Sequence, residues 1–533
     1  MSRTGAVLAG AWSAINSLTT RVGALESSGG GVGVAQRTTP EAYGAKGDCR
    51  FVSDANMSLS SAVLTSATAN FASTDVGKWI MVRGAGLNVD GNTLTAQILS
   101  RQSATQVTLS VAAAVAVTNA YATFGTDDTA AFKNAVNAVT TAAINDGSYF
   151  AELLLSAKAY MIAGAPTMGG GTLGNAQIPL PMIDTRTRKL IFSIRGSGPS
   201  GQLYHWLQRG PQLAGSTLIS PMIGAAADAT YGIPSVIGGP TPTNLALDEG
   251  TQAFTNMLFS IDGVTIITPR NPSFVGVDLY RVAQAKIGSL SVLADASPRS
   301  DAPAGTRLQI PTNSQGLGLR MPRFQNNDLN EVDSFGCEGF YYGMALGDHF
   351  DARRLALIYC DTAMFVAPGG GPEHGMAVQY ASIEACNTGL EATGQAGTTK
   401  LPITFGRVDI EVASGVTIKD PNSVLYGDFN YAHNASNPPT RTGATNIRIV
   451  DTNRARGTFT APAVPASGSA VADSAMPWRD ALVTITGGTV TAITVDGQTM
   501  FTSTAADRMV LVPSGKTISI TYSVAPTWKW TLI

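Results

Sequence analysis

One pattern dominates the middle of the chain. Short runs of alternating apolar and polar residues are separated by polar, glycine-containing stretches. Such runs occupy 260–266, 285–292, 331–337, 355–360, 380–386 and 407–412, with a long excursion before 331. Recurrence at about 20 to 30 residues without a strict consensus predicts a parallel β-solenoid, in which each turn buries its apolar side chains only by stacking on the next. The cysteines suggest a register. Cys337 and Cys360 lie 23 residues apart, Cys360 and Cys386 lie 26 apart, and a further 26 reaches Val412. One inward column of Cys, Cys, Cys and Val is therefore expected. Free Cys behaves as a small buried hydrophobe, so these thiols read as inert core.

If the cysteines point inward, the residues after them point outward. Those residues are Glu338, Asp361 and Asn387, a polar ladder on consecutive turns. Adjacent strands lie about 4.8 Å apart, which would bring Glu338 and Asp361 to about 5 Å. Two carboxyl groups that close cannot both ionise freely, which makes them an acid/base candidate. The spacing also matches a retaining glycosidase, although any two stacked acids would share it. Glu384 and Glu411 are further candidates, but alternation from Cys386 turns Glu384 inward. Tyr359 and Asn387 are candidate substrate contacts. Arg353, Arg354 and Arg407 either bind an acidic sugar or neutralise the acids.

The flanking segments differ. Leu8, Ala11, Ile15, Leu18, Val22 and Leu25 follow heptad spacing, so residues 1–35 read as a docking or oligomerising helix and linker. A plain surface helix and a weak signal peptide are the alternatives. Residues 49–124 show strand patterns of their own at 76–82, 94–98 and 106–109. Residues 457–533 combine short alternating strands with Gly turns, as in a small β-sandwich. Trp528 and Trp530 fall on one face of the last strand, either as a sugar-stacking platform or as core.

Composition removes several classes. Charged residues are 14% of the 533 and the formal net charge is −2, which gives no reason to expect a nucleic-acid partner. No apolar run reaches the length of a membrane span, so no membrane insertion is expected. With four Cys, four His, no CxxC pair and no acidic loop that spells a calcium site, no metal and no cofactor is expected.

Two segments carry a resemblance. Residues 42–48 read AYGAKGD, and residues 126–132 read TDDTAAF at the start of a helix in which Phe132 and Val136 share a face. Together with the strands that follow, they resemble the opening of the pectate-lyase superfamily and, more narrowly, of bacteriophage tailspikes. In that family the halves sit nearly side by side, whereas here the insert separates them, and 71–78 resembles small β inserts of such phage proteins. Asp127-Asp128 is in that family part of a structural cap. The resemblance implies an all-β fold, a right-handed parallel β-helix over 36–48 and 125–456, interrupted by the insert and followed by a C-terminal domain that in the family often helps trimerise. It implies a homotrimer in the virion tail, joined to tail or baseplate proteins through its N-terminal segment, that recognises and depolymerises a bacterial capsule or lipopolysaccharide glycan by hydrolysis or elimination. A spike that only binds, or a structural tail component, is the alternative. The Asn-Thr-Asp, Asp-Asp, Gly-His-Gly and Arg-Ile-Lys motifs of related polygalacturonases are missing from the repeats, where His374-Gly375 lacks the preceding Gly. No family catalytic residue carries over.

Overall fold

Parallel strand pairing runs from Gln36 to Tyr431. The computed structural model describes residues 35–86, 93–166, 176–181, 188–198, 215–221, 234–238, 255–269, 274–280, 282–295, 316–322, 329–347, 349–366, 376–384, 386, 388–392, 402–411, 414–418, 424–431, 461–472, 480–502, 507–513 and 516–532. The N-terminal heptads, Asn387 and Val412 lie outside them. No helix among the described residues is long and apolar enough to cross a membrane.

The solenoid is a parallel β-helix. A 14-stranded sheet carries two of its faces, and an 8-stranded sheet from Ala176–Pro179 to Ser414–Ile418 carries another. Long strands such as Val282–Asp295 bridge the first two faces by pairing with both Thr255–Asp262 and Val264–Pro269. The interior is filled by columns of like residues. One runs Tyr160, Leu218, Ile266, Val292, Cys337, Leu357, Ile383, and another Ile178, Ile237, Val277, Leu319, Met344, Met364, Leu390; all are buried. Shedding this apolar surface from water at every turn is what holds the stack together.

The cysteine register differs from the expected one. Cys337 pairs with Leu357, and Leu357 with Ile383, so Cys360 and Cys386 sit three residues beyond the column, past the ends of their strands. The three thiols still meet inside the core, because Cys360 hydrogen-bonds both Cys337 and Cys386. All three are free. Burial, with the neighbouring thiols and Glu338, pushes the Cys337 thiol well up. The sulfurs pack against backbone of the 8-stranded sheet. A methyl at Gly318 would run into the Cys337 sulfur and the Gly343 carbonyl, and one at Gly343 would reach the Cys360 sulfur at 3.1 Å. Gly318→Ala should therefore overpack the core by about 1–3 kcal/mol, seen as faster amide exchange in the strands on either side. Unchanged exchange there would refute that packing.

A 17-residue helix, Thr129–Asn145, closes the first turn by burying Phe132, Ala135, Val136, Val139 and Ala143 in the solenoid core. The two separated motifs rejoin at its start. Asp128 accepts from the amides of Lys46 (2.6 Å) and Gly47 (2.9 Å), and Asp48 from the amide and hydroxyl of Thr126. Asp127 accepts from the amides of Thr129 and Ala163. Both motif aspartates are thus engaged with backbone.

Between these motifs, strands from Arg50–Met57 to Val117–Gly125 form a closed barrel with its own core. Lys78 of the barrel donates to Asp48 at 2.6 Å and lies 3.1 Å from Asp75. Burial raises the Asp48 and Asp75 carboxyls, but hydrogen bonds and the adjacent cations outweigh it and hold both below the usual range. The stability they add is present above the unfolded pKa and is lost as pH falls through the folded one. Asp128 runs the other way, because burial leaves it raised. Lys78→Met should therefore weaken the junction near neutral pH, by an amount that shrinks as pH drops below about 4. Thermal melts of both proteins from pH 7 to pH 3 test this; a difference that grows with acid would contradict it.

In the C-terminal region a 4-stranded and a 3-stranded antiparallel sheet share one core.

Candidate functional site

The outer face of the larger sheet carries one continuous column. Strand register stacks Met161, Ile219, Ile267, Leu293, Glu338, Ile358, Glu384 and Glu411 in that order. Its first four members are apolar because they are covered: they cluster with Met81 of the barrel, against which Trp79 and Tyr359 also pack. Arg83 of the barrel clamps this contact. Its guanidinium lies 2.6 Å from Asp295, which Thr93 also engages, and both Arg83 and Asp295 are nearly inaccessible. Beyond Leu293 the column holds three glutamates and Ile358, with Glu338 and Ile358 buried.

This register corrects the expected pair. Glu338 is opposite Ile358, not Asp361. It is fully buried, and it has polar or electrostatic partners. Asp361 lies past the strand, at the turn into the 8-stranded sheet, where its amide donates to the Phe340 carbonyl and its carbonyl accepts from Thr388. Glu384 is turned outward, not inward, because Ile383 fills the core position. The Ser382 hydroxyl donates to it at 2.9 Å. With Ile358 between them, Glu338 and Glu384 are two strands apart, whereas Glu384 and Glu411 are paired on adjacent strands, whose backbones run about 5 Å apart. Tyr380 shares this face, and Arg407 lies opposite it. Both are exposed.

The other candidates scatter. Tyr359 adopts a left-handed backbone (φ 51°) at the barrel edge. Arg353 pairs with Asp333 at 3.1 Å on the exposed surface, and Arg354 is exposed beside it, four residues along the sheet from the Glu338 position. Trp530 is buried in the C-terminal core. Trp528 stands at 89° to it and donates its indole N–H to the Pro462 carbonyl at 2.7 Å, so the pair packs inward. No group of three or more potential metal ligands occurs among the described residues.

A second cluster shares only Asp361 with the predicted sites. Tyr341 and Tyr342 meet edge to face with ring centres 4.5 Å apart, and the Phe365 ring lies 4.5 Å from that of Tyr342. Asp361 precedes Thr362, the partner of Tyr342, and Glu391 is the partner of Phe365. The Tyr-Tyr doublet is visible in the sequence, but its acids come from two later turns, which only pairing brings together.

No protein-family model matches the chain, and no curated protein matches it. Among solved structures, the tailspike protein of Acinetobacter phage vB_ApiP_P1 is similar to it at 11% identity, over 76% of this chain and 86% of that one, with a TM-score of 0.31.

Proposed function

We propose that this chain is a phage tailspike that binds a bacterial surface polysaccharide and cleaves it on the outer face of the β-helix. The observation that carries the reading is the register that sets Glu384, outward beside the Ser382 hydroxyl, opposite Glu411 on the adjacent strand. In this reading the two acids work by double displacement, which needs carboxyl groups about 5 Å apart: one carboxylate attacks the anomeric carbon, and the other, protonated, releases the leaving oxygen and then activates water. Tyr380 offers an aromatic surface on the same face, and Arg407 a charge. The split opening motif, rejoined at the capping helix, supports the tailspike assignment. In this reading the protein is a homotrimer of the virion tail, attached through residues 1–35 and assembled in the host cytoplasm.

A binding-only spike is the second reading, favoured by the burial of Glu338 and by its separation from Asp361. Incubation with capsule and lipopolysaccharide separates the two. New reducing ends without ultraviolet absorbance from an unsaturated uronate support hydrolysis at this pair. Reducing ends with that absorbance would mean elimination. Retained binding without cleavage would leave the recognition spike.

A further inference from the structure

One end of the inserted barrel is apolar although it faces water. Leu59 is 63% exposed, and Val63, Val111 and Val115 are exposed near it. Backbone contacts join them into one surface. The Ser60 amide donates to the Ala113 carbonyl at 2.8 Å, the Ala113 amide donates to the Ser61 carbonyl at 2.9 Å, and Val63 is the strand partner of Thr108. Residues 55–74 and 102–126 supply this end, and neither stretch contains a charged residue, in a chain that is 14% charged. The strand Arg50–Met57 runs toward it from the opposite end, where Arg50 and Lys78 pair with Asp75. Exposed apolar side chains gathered without a charge among them mark an interface, because water contact forfeits the gain of burial.

The lack of charge selects the occupant. In a symmetric assembly the residues near the axis meet their own copies, so a charge there would face its like. A surface with none meets itself without that penalty. The chain also brings copies within reach. Ten residues separate Leu25, the last heptad position, from Gln36, the first strand residue, a span of at most about 40 Å. Gln36–Thr38 pairs with Ala151–Leu153 in the first solenoid turn, and the chain leaves that turn for the barrel just after Asp48, which bridges to Ala159. Heptads that associate would therefore gather the barrels of neighbouring copies at one end of the assembly.

We propose that the barrel end formed by Leu59, Val63, Val111 and Val115 is a contact between copies of this chain. The contact buries these side chains against their counterparts around the symmetry axis and adds to whatever the heptads supply. It lies on the inserted unit, away from the Glu384 column. It rests on the tailspike reading for the number of copies, three, and not for the surface itself.

The test is analytical ultracentrifugation of the full-length chain over a dilution series, repeated with Leu59→Asp and with Val111→Asp. The native chain should associate. Each substitution should raise the concentration needed for association by at least about tenfold, because it brings like charges together at the axis. Amide exchange gives a readout that needs no substitution: protection of residues 58–62 and 109–115 in the native chain should fall on dilution. Exchange carries the test if a substituted chain fails to fold. Association that ignores both substitutions, or exchange there that is independent of concentration, would overturn the contact and leave the trimer to other surfaces. A monomeric native chain would overturn contact and trimer together and leave the patch to a different protein. Sedimentation reads no glycan, so failure of the polysaccharide assay and failure of this contact are separate results.

Discussion

Asp295→Ala is expected to loosen the barrel from the β-helix at a cost of about 3–5 kcal/mol, the usual penalty for removing one partner of a buried ion pair. The Arg83 side chain is 3% exposed and that of Asp295 10%. Without the carboxylate, Arg83 keeps its charge where water cannot reach it, and Thr93 loses an acceptor. The apolar part of the contact, Met81 on Ile219, Ile267 and Leu293, does not compensate, because taking the carboxylate from a buried guanidinium costs more than a few side chains gain from burial. Amide exchange should rise in the Trp79–Val82 strand and in Val264–Pro269 beneath it, while the C-terminal sheets keep their protection. The double variant Arg83→Met with Asp295→Leu should recover most of the loss, because an apolar pair of similar volume avoids the desolvation. Equal protection in Asp295→Ala and the native chain would show that the ion pair does not hold the barrel.

Glu384→Gln is expected to lower polysaccharide cleavage by about 10²- to 10⁴-fold, the range for losing a positioned acid, base or nucleophile. Gln keeps the shape of Glu and still offers an oxygen to the Ser382 hydroxyl, so the fold should be unaffected and glycan binding retained. Asp333→Asn removes an exposed carboxylate of the same sheet that is paired with Arg353, and should leave cleavage unchanged. Glu338→Gln is a different experiment. That side chain is fully buried, so its effect should appear in stability before turnover. Reducing-end release from the native glycan, followed with time, checks all three. Native rates in Glu384→Gln would remove this column from the chemistry and favour the binding-only spike.

The outer column also shows how an insertion shapes the surface of a solenoid. A β-helix turn has an inner face that must be apolar and an outer face that is free to vary. Here the outer face is apolar at Met161, Ile219, Ile267 and Leu293 because the barrel covers it, stays buried through Glu338 and Ile358, and first becomes partly exposed at Glu384. The same column thus serves as interface over its first turns and as candidate site over its last.

The sequence by itself determined the kind of architecture. Short alternating runs at solenoid spacing, the helix with Phe132 and Val136 on one face, and the tight alternation after residue 480 are local properties, set by side-chain period and turn chemistry. The inward position of Cys337 follows from the same alternation. What only the tertiary structure decided is register between turns. Spacing along the chain counts loop residues as well as strand residues, so Cys360 could not be told from Leu357 as the partner of Cys337. Alternation makes a slip by an odd number of residues exchange inner and outer faces. That slip of three is why Glu384 was expected inside and Asp361 beside Glu338. Contacts between residues hundreds of positions apart, such as Arg83 with Asp295, leave no period to read. They arise when one folded unit packs on another, and only the packed structure shows which side chains they cover.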